Sequence, residues 1–179
     1  MNEIPTDTTA VTKILAGLAR QLEAMISRGD DLALVGIRSG GELVARSLLD
    51  MIERSCGKKV PLGVMDITLY RDDITRRRMY PEVKGTHIPF DVDDKDIVLV
   101  DDVLYTGRSA RAAIDQIIDL GRPRRIYLLV LFDRGGRELP IQPDFTGMKI
   151  DLPRDQVIKI EGAPDAKTIA RVVVSEERR

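Results

Sequence analysis

Apolar side chains recur along this chain in two rhythms. Val11, Ile14, Leu15, Leu18, Leu22, Met25 and Ile26 fall at steps of three and four, which lines one face of a helix. Thr8 or Thr9 stands where that helix should be capped, and Gly29 where it should stop. Leu43, Val44, Leu48, Leu49, Met51 and Ile52 repeat the pattern, with Gly57 beyond it. Ala110–Leu120 is a third helical stretch, ended by Gly121 and Pro123. Between these lie short runs that are apolar on every side: LALVGI (32–37), VPLGVMDI (60–67), IVLV (97–100) and IYLLVLF (126–132). Continuous apolarity marks strands buried on both faces. Their alternation with helices predicts an α/β fold, a parallel sheet of about five strands with helices on both faces.

Two stretches depart from this order. Residues 70–90, YRDDITRRRMYPEVKGTHIPF, are charged and carry no packing period. A segment that long is either a functional loop or a solvated insertion. After Phe132 the chain turns polar, with short strand candidates at VIKI (157–160) and ARVVV (170–174) that would form a small subdomain with N-terminal elements.

Composition narrows the function. The chain has 179 residues, 43% of them hydrophobic, which suits one domain with a real core. Its 28 basic and 29 acidic residues nearly cancel, so nucleic-acid binding by bulk charge is not expected and would need a local patch. One cysteine and one histidine exclude a disulfide framework and the usual Cys/His metal sets. Cys56 reads as packing at a helix end, and His87 as a solvated loop side chain. The longest apolar run is seven residues, too short to span a membrane. MNEIPTDTTA resembles no signal peptide, so the cytosol is the expected compartment.

The chemistry concentrates in IVLVDDVLYTGRSARAA (97–113). A buried strand ends in Asp101 and Asp102, and a short turn then opens a helix. Ligands of parallel sheets gather at such carboxyl ends. Gly107 permits close backbone approach, and the helix-start amides with the Thr106 and Ser109 hydroxyls suit a phosphate. The two carboxylates suit sugar hydroxyls or a hydrated Mg²⁺. Phosphate donors beside diol acceptors point to a ribose 5-phosphate. Gly36 and Gly41 have phosphate-loop spacing, but Glu42-Leu43 follows them, and no GxGxxG is present.

Segment 97–109 resembles the 5-phosphoribosyl-1-pyrophosphate (PRPP) motif of type I phosphoribosyltransferases. DITLYRDD (66–73), VKGTHIP (83–89), VDDVLYTGR (100–108), LGRP (120–123) and DRGGRELPI (133–141) extend the resemblance. They match the branch that regulates pyrimidine operons and also converts uracil to UMP. It implies a single phosphoribosyltransferase domain over 1–179, with a core at about 30–135, a mobile loop at about 70–90, and a small hood from N-terminal residues and about 140–179. It also implies PRPP and uracil as substrates, UMP with diphosphate as products, and Mg²⁺ carried with PRPP, held in part by Asp101 and Asp102. Asp101 and Asp102 would hold the ribose, and Val103, Leu104, Tyr105, Thr106, Gly107, Arg108 and Ser109 the 5′-phosphate. Arg38, Ser39, Gly40 and Gly41 match the pyrophosphate loop, which in this family often holds a cis peptide near Arg38–Ser39. Arg71 and Lys84 would act from the mobile loop, whereas the Arg76–Arg78 run reads as a solvated face. Tyr105 replaces the aspartate typical of purine enzymes. Val157, Ile158 and Ile160 would lie at the uracil edge.

Charge is also segregated. Residues 91–102 hold six Asp and one Lys, whereas 122–137 hold five Arg against Asp133. The resemblance makes Arg124, Arg125, Arg134 and Arg137 candidates for contact with pyrimidine-operon leader RNA under control of UMP or UTP, in a homo-oligomer of two or more chains. Related regulators often carry a basic residue where Gly40 stands and a histidine where Gly136 stands. A uracil salvage enzyme without RNA binding is the alternative.

Overall fold

The computed structural model describes residues 7–70, 85–163 and 169–176. Helix α1 (Thr8–Ser27) leads into strand β1 (Leu32–Ile37), helix α2 (Gly40–Cys56) and strand β2 (Leu62–Met65). A 3₁₀ turn at Thr68–Tyr70 precedes the undescribed stretch. Strand β3 (Asp96–Leu104), helix α3 (Arg108–Leu120), strand β4 (Arg125–Asp133) and strand β5 (Phe145–Lys149) complete a five-stranded parallel sheet. Strands β6 (Gln156–Gly162) and β7 (Ile169–Glu176) form a separate antiparallel pair.

The sheet order is β2-β1-β3-β4-β5. The chain therefore moves outward in opposite directions from β1 and from β3, and the gap between their carboxyl ends is the switch point of the fold. Alternation along the strands divides the core. Leu32, Leu34, Val98, Val100, Leu129 and Leu131 meet α1 and α2. Ala33, Val35, Ile97, Leu99, Leu128 and Val130 pack with Ala110, Ala113 and Ile117 of α3 on the other face. Ile158, Ile169 and Val172 of the β6–β7 pair join the α1–α2 core. No helix among the described residues is long and apolar enough to cross a membrane.

Local chemistry departs from the sequence expectations at several points. Asp7, not Thr8 or Thr9, caps α1: its carboxylate accepts from the Ala10 amide at 2.9 Å. Thr8 lies inside the helix and donates its hydroxyl to the Ala170 carbonyl at 2.8 Å, tying α1 to β7. Cys56 is exposed rather than packed. The side chain of His87 is exposed, while its backbone pairs with Val64 in both directions at 2.8 Å.

Arg124, expected on an RNA-facing patch, is half-exposed and pairs with the fold. It grips the fully buried Asp96 with two hydrogen bonds, 2.9 Å from Nε and 2.5 Å from Nη2. A buried carboxylate without such a partner is costly. The guanidinium holds the Asp96 carboxyl below its ordinary range, against the opposing pull of burial. A depressed carboxyl adds stability above its unfolded pKa, and that stability is lost as pH falls through the folded value. Asp96→Asn should therefore lower the thermal midpoint at pH 7 by about 5 °C. The gap to the parent should close in acid below the usual carboxylate range, as read by thermal melts across pH. A gap independent of pH would contradict this role for the pair.

Candidate active site

Two helices begin beside the switch point with no hydrogen bond from the side chain of the N-cap residue. The N-cap of α2 is Ser39 and that of α3 is Gly107, and neither supplies a side-chain hydrogen bond. First-turn amides left in this way carry the positive end of each helix and suit an anion. The two helices follow β1 and β3, which are hydrogen-bonded neighbours. Two such helix starts thus lie at one edge of the sheet.

The carboxylates sit between them. β3 runs past IVLV and includes Asp101 and Asp102 within the strand. Asp101 is buried, and its Oδ1 accepts from the Asp102 amide at 2.9 Å. Asp102 reaches towards α2. Burial pushes its carboxyl above the ordinary range, and hydrogen bonds from Asp101 and from backbone amides partly oppose that shift. The glycines at the start of α2 make room for this pair. A Cβ on Gly40 would collide with the Asp102 carboxylate, and one on Gly41 would collide with the Val100 carbonyl and lie 2.9 Å from Asp101 Cα. The Asp102 side chain occupies the space beside Gly40.

The preceding turn holds a cis peptide at Arg38–Ser39, where the resemblance places one. Arg38 Nε is buried without a hydrogen bond, and Glu42 Oε2 lies 4.0 Å away. In the β3–α3 turn, Thr106 Oγ1 accepts from the Arg108 amide at 3.3 Å, and Arg108 Nε pairs with Glu138 at 2.7 Å. Arg71 and Lys84, with the Arg76–Arg78 run, lie outside the described residues. The flanks of that segment both meet α3. Arg111 donates to the Tyr70 carbonyl at 3.3 Å, the Tyr70 hydroxyl donates to Asp119 at 3.0 Å, and Gln116 donates to Thr86 Oγ1 at 3.1 Å.

The remaining candidates separate. Ile158 is buried and Ile160 half-buried in the α1–α2 core. Val157 is half-buried in the same strand, and its backbone is in register with Ser175. The link from β6 to the site runs through Gln156, whose carbonyl accepts from Arg134 at 2.9 Å. Arg134 also stacks on Tyr105, with its guanidinium carbon 4.1 Å from the ring centre. Arg137 is largely buried and paired with Asp133 at 2.6 Å. Both arginines are partly buried and lie against the β3–α3 turn. Arg125 is exposed and donates to the Tyr127 hydroxyl at 3.2 Å. A run of arginines does not reveal from sequence which of them turn inward. The buried partner Asp133, four residues before Arg137, was the available signal.

Two helix starts flanking a carboxylate pair on this sheet are the arrangement expected of a phosphoribosyltransferase. The phosphoribosyl transferase domain family matches residues 4–166, and the chain belongs to it. Within that family it belongs with the bifunctional protein PyrR. It is 58% identical to the protein of that name from Thermus aquaticus over 132 residues, covering 74% of this chain and 73% of the relative. It is 44% identical to the one from Acetivibrio thermocellus, covering 87% and 84%. Solved structures share the fold at low identity. The hypoxanthine phosphoribosyltransferase of Trypanosoma cruzi matches with a TM-score of 0.69 at 14% identity over 99% of this chain and 98% of that one. That of Staphylococcus aureus gives 0.65 at 20% identity over 88% and 81%.

The glycine contacts yield a paired test. Gly41→Ala should destabilise the chain by about 1–3 kcal/mol, because backbone on both sides must move. Gly17→Ala, with open space inside α1, should stabilise it by about 0.5–1 kcal/mol. Urea unfolding of both variants checks this, and shifts of the same sign would contradict the packing described.

Proposed function

We propose that the chain transfers the phosphoribosyl group of PRPP to uracil in the cytoplasm, and that the same site senses uridine nucleotides for control of a pyrimidine operon. The observation that carries the enzymatic half is the seam between β1 and β3. Two helix starts face one edge there, with Asp101 and Asp102 between them. That spacing suits a ligand with an anion at each end and hydroxyls in the middle, which is the chemistry of PRPP. Family membership supports the regulatory half.

In this reading the β3–α3 turn, Val103–Ser109, holds the 5′-phosphate. Asp101 and Asp102 accept from the ribose hydroxyls. The α2 start and Arg38 face the pyrophosphate, with Arg71 and Lys84 supplying further positive charge. Uracil N1 bonds to ribose C1′ as the C1′–O bond to pyrophosphate breaks, and N1 loses its proton. Positive charge builds on the sugar and negative charge on the leaving group, so fixed donors at the pyrophosphate are what the protein contributes most. Tyr105 offers a phenol, not a carboxylate, beside the base, which suits uracil better than a purine needing a carboxylate partner.

The donor set also fits magnesium. No group of three or more ligating side chains occurs among the described residues, so these build no cage of their own. A pair of carboxylates beside substrate phosphates is the usual way a protein holds this ion. Asp101 and Asp102 would share it with PRPP, and when bound it neutralises phosphate charge.

Turnover of uracil and of guanine with PRPP tests the enzymatic half. Uracil should yield UMP and guanine should not react. Asp101→Asn and Asp102→Asn should each lower turnover roughly ten- to hundred-fold, the worth of a charged hydrogen bond. Tyr105→Asp should not improve uracil use. Guanine turnover matching that of uracil, or wild-type rates in both Asn variants, would overturn the reading. For the regulatory half, UMP should tighten binding to leader RNA. Arg125→Ala should lower the slope of log affinity against log salt by about 0.7–0.9 with turnover unchanged. RNA affinity indifferent to UMP would leave a salvage enzyme alone.

A further inference from the structure

Three successive carbonyls of the β3–α3 turn point at a single segment. The Leu104 carbonyl accepts from the Arg134 amide at 3.1 Å. The Thr106 carbonyl accepts from the Glu138 amide at 2.9 Å and the Leu139 amide at 3.1 Å. Between them, the Tyr105 carbonyl accepts from Arg137 Nη1 at 2.9 Å. The same guanidinium donates to the carbonyls of Gly135 and Ile141 at 3.1 and 2.9 Å, and to Asp133 Oδ1 at 2.6 Å. Its side chain is 13% exposed and that of Asp133 9%. The negative ends of three peptide units are thereby held on the side of residues 134–139. A turn whose carbonyls are all engaged on one side presents its amides on the other, as anion-binding backbone concavities do.

We propose that Arg137 is a positioning residue of the phosphate turn: its guanidinium fork holds the Leu104–Thr106 backbone in the one orientation that accepts a 5′-phosphate. This rests on the reading that residues 103–109 bind that phosphate. The same segment sets the ring of Tyr105. Arg134 covers its face, and Gly136, at φ +68°, leaves space that a Cβ would take, since such an atom would lie 2.9 Å from Tyr105 Cδ2. Planar, five-donor geometry is what this role requires. A lysine ammonium has a single nitrogen at its tip and cannot span Asp133, Tyr105 and Ile141 together.

Arg137→Lys is therefore the informative variant, because it keeps a charge beside Asp133 and loses the fork. Calorimetry with UMP and with uridine isolates the phosphate. The parent should bind UMP much more tightly than uridine. Arg137→Lys should lose about ten- to hundred-fold of that preference, the penalty of a misplaced turn, with uridine affinity unchanged. KM for PRPP should rise in step. A purely structural role would lower the melting temperature and leave the UMP-to-uridine ratio intact, and that result would overturn the proposal. So would a variant that loses RNA affinity alone. If Arg137→Lys does not fold, Asp133→Asn combined with Arg137→Gln removes both buried charges, and the same loss is expected. A parent that does not distinguish UMP from uridine would refute the phosphate-turn reading itself, an outcome separate from failure of Arg137 alone.

Discussion

The structure turns on a strand that must be buried on both faces and yet end in two carboxylates. β3 lies between β1 and β4, with Val98 and Val100 against one layer of helices and Ile97 and Leu99 against the other. Burying Asp101 and Asp102 at its end is unfavourable unless hydrogen bonds and close backbone compensate. Two features supply that compensation. Gly40 and Gly41 let α2 start directly against the pair, and the amides around Asp101 and Asp102 donate to them. The same closeness places two helix starts beside the carboxylates, so the packing solution and the candidate ligand site are one arrangement.

Much of this was legible in the chain. Buried parallel strands are continuous apolar runs, and LALVGI, IVLV and IYLLVLF fall within β1, β3 and β4. The acidic pair and Tyr-Thr-Gly-Arg-Ser fall where β3 gives way to α3, as the sequence suggested. Strand β5 was not legible: FTGMK is short, has no alternation and is half-buried along most of its length, so its pairing with β4 is set by tertiary contact. The α1 cap was misplaced by one residue because Asp7, Thr8 and Thr9 are all competent caps. The partners of the arginines after Leu120 were not legible either. Local charge is visible in sequence, but the direction of a side chain is not. Arg137 turns inward to the buried Asp133, whereas Arg124 stays half-exposed while pairing with the buried Asp96.

Arg134 and Arg137 also give the 133–141 block a physical role beyond its resemblance to relatives. One segment backs the β3–α3 turn, grips the Tyr105 ring and reaches the first residue of β6 through the Gln156 carbonyl. In the proposed reading, the phosphate end and the base side of the site would be held by adjacent residues of one strap. A ligand that fills both ends, as a nucleoside monophosphate does, would meet a surface already fixed in relative position, which lowers the ordering cost of binding.

The most direct measurement of the central claim is a crystal structure of the chain with UMP. The 5′-phosphate should lie at the start of α3 on the amides of Thr106–Ser109, with the ribose hydroxyls on Asp101 and Asp102 and the base beside Tyr105. UMP bound elsewhere, such as at the amino-terminal end of the sheet near Arg124 and Arg125, would contradict the site described here.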